Sequence, residues 1–185
     1  MAAAAAGSGS FLLLLAAVAA ASLLHLAAAP APGVTLNVGS RQVVVDNGVV
    51  QVALSTPEGQ INGVSYNGEP NLLEYVDTSN TGNSGGYWDA VWNYPGSSLP
   101  EGLYNTLDST EFKVISSSED QVELSFRSTY NPSLQNSIHL NVDKRLVMLR
   151  GSSGFYCYAI FEHARDHPAL NITEARLVMK LNPGK

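Results

Sequence analysis

The run Leu149 to His163, LRGSSGFYCYAIFEH, followed by Glu174 to Leu181, EARLVMKL, decides the fold class. Both read as strands. Phe155 to His163 is aromatic and aliphatic almost without a break, which predicts a strand buried on both faces of a packed sheet. In the second run Ala175, Leu177, Met179 and Leu181 alternate with Glu174, Arg176, Val178 and Lys180. A period of two gives one apolar, buried face and one charged, wet face. A cationic sheet face needs a partner in a chain whose net charge is -6.

Outward from these runs the same pattern recurs. Gln42 to Asp46 and Val49 to Ser55 flank Asn47-Gly48, a strong short-range hairpin signal. Thr56 to Gly59 is a second turn, and Gln60 to Tyr66 is a third run closed by Asn67-Gly68, so the first third reads as a meander. Glu111 to Ser118 reads as a strand, and Val122, Leu124 and Phe126 alternate cleanly with polar neighbours. Ile138, Leu140 and Val142 do the same, and Lys144-Arg145 reads as an exposed bend into Leu146 to Leu149. No stretch after residue 30 shows a sustained 3.6-residue period. The class is all-β, and the even spacing of short runs predicts a β-sandwich.

The amino terminus is a different kind of sequence. Phe11 to Leu24 is uncharged and mostly Leu, Ala and Val, and Ala27-Ala28-Ala29-Pro30 follows His25. That run is short for a membrane span, which takes about 20 apolar residues, and small residues follow it as at a signal-peptidase site. Residues 1–29 therefore read as a secretory signal, although no Lys or Arg precedes the apolar run. Residues 30–185 are left as one domain's worth of chain, with 45% hydrophobic and 14% charged residues in the whole sequence. The acidic balance argues against nucleic acid as partner. The single cysteine, Cys157, rules out an internal disulfide framework and reads as a buried thiol. Asn171-Ile-Thr173 is an acceptor sequon for N-glycosylation.

Both tryptophans lie in Tyr87 to Tyr94, YWDAVWNY, beside glycine-rich loops that include Asn80 to Gly86. Two readings stand side by side: Trp88 and Trp92 stack on sugar rings, or they plug the core of a small sandwich. Phosphate loops, zinc-ligand pairs and nucleophile elbows are missing. His163 and His167 are four apart but flank a loop sequence, so a surface loop outweighs a metal site.

Resemblance carries the reading further. Val45 to Gly48 (VDNG), Gly63 to Gly68 (GVSYNG), Gly86 to Asn93 (GYWDAVWN), Asp143 to His163 and Glu174-Ala-Arg176 together resemble the amino-terminal part of plant rhamnogalacturonate lyases, over about Val34 to Lys185. The resemblance implies the first part of a catalytic β-sandwich of the galactose mutarotase-like type, incomplete in this chain, with downstream fibronectin-III-like and carbohydrate-binding domains absent. It implies cleavage of rhamnogalacturonan I of pectin by β-elimination next to galacturonate. That chemistry needs a cation on the uronate carboxylate, a base for the C5 proton and an acid for the leaving oxygen. Arg176 stands at the position of the family arginine, whose planar fork suits a carboxylate. The family lysine and histidine lie further along, and Lys180 is too close to Arg176 to take the base's role. The chain alone is therefore expected to be inactive.

Tyr156 and Tyr158 share a strand face with Glu162 and are expected to line the cleft. The expected partner is a pectic polysaccharide, with no membrane partner after signal cleavage. A secreted, extracellular or cell-wall monomer follows. No cofactor is implied, with calcium left open. Two alternatives stay in view: a non-catalytic glycan-binding or regulatory fragment, and a mutarotase-like epimerase, which would need a histidine and glutamate pair.

Overall fold

A computed structural model describes residues 31–75, 84–99 and 101–184. The leader read over residues 1–29, and residues 80–83 of the glycine-rich loop, lie outside the described residues. Eleven strands run in chain order among them: β1 Thr35–Val38, β2 Gln42–Asp46, β3 Val50–Ser55, β4 Ile61–Tyr66, β5 Gly86–Asn93, β6 Leu103–Thr106, β7 Glu111–Ser117, β8 Gln121–Ser128, β9 Asn141–Leu149, β10 Phe155–Glu162 and β11 Asn171–Met179. One sheet has the order β1-β2-β3-β4-β5-β11, with β6 also paired to β5; the other has the order β10-β9-β8-β7. Every strand pairing is antiparallel. The protein is an all-β sandwich.

The alternation seen in the sequence is what closes it. Val43, Val45, Val50, Val52 and Leu54 of the first sheet meet Val122, Leu124, Phe126, Leu146 and Met148 of the second in one buried cluster. Ala90 and Trp92 join Leu107, Ile138, Leu140 and Val142 in another. The hairpin between β2 and β3 forms at Asn47-Gly48, with Gly48 at φ 77°, where only glycine is unstrained. Asn47 does more than turn the chain. Its Oδ1 accepts from Val49 N and Val50 N at 3.0 and 2.9 Å, and its Nδ2 donates to the carbonyls of Leu149 and Ser152, both at 2.8 Å. Fully buried, it ties the first hairpin to the turn that precedes β10.

Three expectations are corrected. β10 is not buried on both faces: its residues alternate between half-buried and exposed, with Tyr156, Tyr158 and Ile160 facing out. It is the last strand of its sheet, so only its inner row, Phe155, Cys157, Ala159 and Phe161, has a facing layer. The apolar face of β11 is likewise uncovered along much of its length: Ala175 is exposed, Leu177 and Met179 are half-buried, and Leu181 just beyond the strand is 67% exposed. β11 is also an edge strand, and of its inner row Met179 packs against the core cluster.

Lys144-Arg145 is not a bend. It lies inside β9, where Lys144 points into the sandwich in phase with Val142 and Leu146. Its ammonium donates to the carbonyl of Glu58 at 2.6 Å. Arg145 points out, holding Asp143 with two hydrogen bonds at 2.9 and 2.8 Å and Glu123 at 2.7 Å.

Candidate functional site

The site is built on three neighbouring strands, β6, β5 and β11. In β5 the row Trp88, Ala90, Trp92 faces the second sheet, so Tyr87, Asp89 and Val91 face the opposite, outer side. β11 pairs Arg176 with Asp89 and Val178 with Tyr87, which puts Arg176 on that outer side. A register shift between Ile172 and Glu174 sets this phase. Before it Asn171 lies opposite Asn93; after it Glu174 lies opposite Val91, so the extra residue brings Asn171, Glu174 and Arg176 to one face. On the other flank β6 places Thr106 opposite Asp89 and Tyr104 opposite Val91.

Asp89 is the centre of this patch. Its carboxylate is 1% exposed and accepts from Arg176 twice, Nε to Oδ1 at 2.8 Å and Nη2 to Oδ2 at 3.0 Å. The Tyr104 hydroxyl donates to Oδ2 at 3.3 Å. A buried carboxylate needs such partners, because an unpaired charge out of water is costly. Arg176 itself stays 47% exposed, and its Nη1 lies 2.9 Å from Oε2 of the half-exposed Glu174. The hydrogen bonds it donates to Asp89 push the guanidinium further up from its ordinary range, so it is a permanent cation. The Tyr104 ring is exposed beside it.

The residues expected to gather in one cleft do not all meet. Tyr156 and Tyr158 project from the outer face of the second sheet, opposite Val147 and Arg145, so the thickness of the sandwich separates them from Arg176. Tyr158 donates its hydroxyl to Glu123 at 2.8 Å. Trp92 offers no face to a ligand. Its surface is 0% exposed, its Nε1 donates to Asn105 Oδ1 at 2.5 Å, and its ring packs against Tyr94 and His139 with centroids 5.1 and 4.8 Å away. Of the two readings of Trp92, the core plug is the one the packing supports. Trp88 is half-buried on the same inner row. Asn171 is exposed, on the face that carries Arg176.

Asp89 and Tyr104 were not singled out in the sequence. The available signal was phase: Asp89 alternates against Trp88 and Ala90, so once β5 is a strand its carboxylate faces away from the tryptophans.

The described histidines and the cysteine are held by the fold. His139 Nδ1 and His163 Nε2 each lie 3.1 Å from the Pro168 carbonyl, and His167 Nδ1 lies 3.0 Å from the carbonyl of His139, pinning the loop between β10 and β11. Among the described residues no group of three or more His, Cys, Asp or Glu is placed to hold a metal. Cys157 faces inward and burial pushes its thiol up to about 12, which leaves it no thiolate near neutrality. Grooves of about 570 Å³ beside Asp46, Gln51 and Tyr66, and about 530 Å³ beside Arg127, Asp143 and Glu162, lie away from Arg176. Arg176 itself is half-exposed on its sheet face.

Fold and patch define an antiparallel β-sandwich with a half-exposed arginine on one sheet face. The chain belongs to the rhamnogalacturonate lyase family, whose sequence model matches residues 20–185. Comparison with curated proteins and with solved structures returns no match. Family membership gives the chain a pectin-lyase-like function and a polysaccharide as its substrate class.

Proposed function

We propose that this sandwich carries the carboxylate-binding part of a rhamnogalacturonan endolyase site, acting outside the cell on rhamnogalacturonan I by β-elimination next to galacturonate. The observation that carries the reading is the seating of Arg176: a buried carboxylate fixes one edge of its fork while the side chain remains half-exposed. Two of five N–H groups are taken by Asp89 and the half-exposed Glu174 lies against Nη1, which leaves donors on the Nη1 and Nη2 edge for a ligand that displaces or shares with Glu174. A uronate carboxylate received there would have part of its charge offset, and so its C5 proton would be easier to remove. The exposed Tyr104 ring alongside offers an apolar face to the sugar.

Glycan binding without turnover is the second reading. It is favoured by the positions of His139, His163 and His167, which are bonded to backbone carbonyls away from Arg176. No proton-transfer role is assigned to a described residue. Removing a positioned acid or base typically costs about 10²- to 10⁴-fold in rate.

The test is binding of rhamnogalacturonan oligosaccharides by calorimetry, with release of unsaturated product followed in parallel by its ultraviolet absorbance. Arg176→Lys is expected to weaken binding about tenfold, because a point charge replaces a fork and charge-assisted hydrogen bonds are lost. Carboxyl-reduced oligosaccharide is expected to bind wild type as weakly as the variant binds the acid. Unchanged affinity in Arg176→Lys would remove the assignment. Binding without product would favour the second reading, and product release would favour the first.

A further inference from the structure

Arg176 has two carboxylate neighbours of unlike standing. Asp89 is buried, held by two aligned hydrogen bonds from the guanidinium and a third from Tyr104. Glu174 is 48% exposed and touches one end of the guanidinium, Nη1, at 2.9 Å. With Asp89 on the Nε and Nη2 edge, the other edge with two parallel donors is the one formed by Nη1 and Nη2. A ligand carboxylate that takes this edge in bidentate fashion meets Glu174 there. The charge sum points the same way: one cation against two anions leaves no net positive charge to attract a uronate.

We propose that Glu174 is an internal competitor, a carboxylate of the chain's own that sits at the end of Arg176 which an acidic sugar uses and must leave when that sugar binds. Asp89 is the fixed partner that sets the direction of the fork, and Glu174 is the exchangeable one. The proposal rests on the uronate-binding reading of Arg176 and adds to it a carboxylate that tempers the affinity of the site for acidic sugars. A neutral sugar has nothing to offer the guanidinium in exchange for Glu174, whereas a carboxylate replaces like with like. The exchange is weakly opposed, since an exposed ion pair contributes little net free energy. A stronger pair would block the site, and a buried one could not swing out.

Calorimetric titration of the full chain with a rhamnogalacturonan oligosaccharide bearing free carboxylates, and with the same oligosaccharide after carboxyl reduction, tests this. Glu174→Gln is expected to bind the acidic oligosaccharide about two- to fivefold more tightly than wild type, the factor that corresponds to an exposed pair. The reduced oligosaccharide should bind both proteins equally. Glu174→Ala should show the same gain, so the result does not hang on one variant. Equal or weaker binding of the acidic ligand by both variants, while Arg176→Ala abolishes it, would overturn the role of Glu174 and leave the uronate reading standing. Wild-type affinity in Arg176→Ala, or no binding by wild type, would overturn both.

Discussion

Trp92→Ala should destabilise the sandwich by about 3–5 kcal/mol, the range for emptying a fully buried aromatic site. That is a large fraction of the roughly 5–15 kcal/mol that holds a domain of this size together. The indole is 0% exposed and packs in one buried cluster with Ala90, Leu107, Ile138, Leu140 and Val142. Its loss would also leave Asn105 Oδ1 without the donor that now reaches it. Trp88→Ala, at a half-buried position four residues earlier on the same row, should cost less than half as much. Urea denaturation followed by far-ultraviolet circular dichroism measures both. Equal, small losses in the two variants would mean that Trp92 is a surface platform after all.

That contrast shows where periodicity stops being informative. Residues 86–93 read equally well as a sugar platform or a core strand, because aromatic residues serve both uses. What decides between them is the opposing layer: Ile138, Leu140 and Val142 close over Trp92, while Trp88 lies toward the less covered end of the row. The hairpin at Asn47-Gly48 and the alternation of Val122, Leu124 and Phe126 were legible because the forces that set them are local. The exposure of Tyr156 and Ile160, and of Ala175 and Leu181, was not. An edge strand and a central strand have the same alternation, and the difference lies in which strand comes next to them in the sheet.

The site was half legible. Arg176 and Glu174 stand two apart on a strand, so their shared face follows from the period of two. Asp89 lies 87 residues away from Arg176 and meets it only through the pairing of β5 with β11. The separation of Tyr156 and Tyr158 from Arg176 has the same origin: each reads as an outward residue, but outward from different sheets points to opposite sides.

Lys144 is the strongest conflict between pattern and structure, and it carries the second large effect. Lys144→Met should raise stability at pH 6 by about 1–3 kcal/mol, and the gain should shrink to nearly nothing by pH 10.5. Lys144 is 3% exposed, inside the sandwich, and desolvation lowers its pKa from 10.5 to about 8, against the smaller opposing pull of Asp108 and Glu58. A lysine whose folded pKa lies below its unfolded one binds its proton less firmly in the native state. Above about pH 8 the folded protein gives up that proton while the unfolded chain keeps it until about pH 10.5, so this group's contribution to stability rises with pH across that window. Below pH 8 the full penalty of the buried charge is present, and the offset corresponds to roughly 3 kcal/mol before the hydrogen bond to Glu58 is counted. Methionine matches the length of the stem without the charge. Removing the ammonium does not orphan the Glu58 carbonyl, which also accepts from Ser109 N at 3.1 Å. Gly59 fixes that carbonyl's approach, at φ 72° with a Cβ position only 2.6 Å from the Phe126 ring, so the loop cannot easily shift to find another donor. Urea melts of wild type and Lys144→Met at pH 6 and pH 10.5 give the comparison directly. A variant less stable than wild type at pH 6 would mean that the ammonium's bond to Glu58 outweighs its desolvation, and that this core needs a cation at its centre.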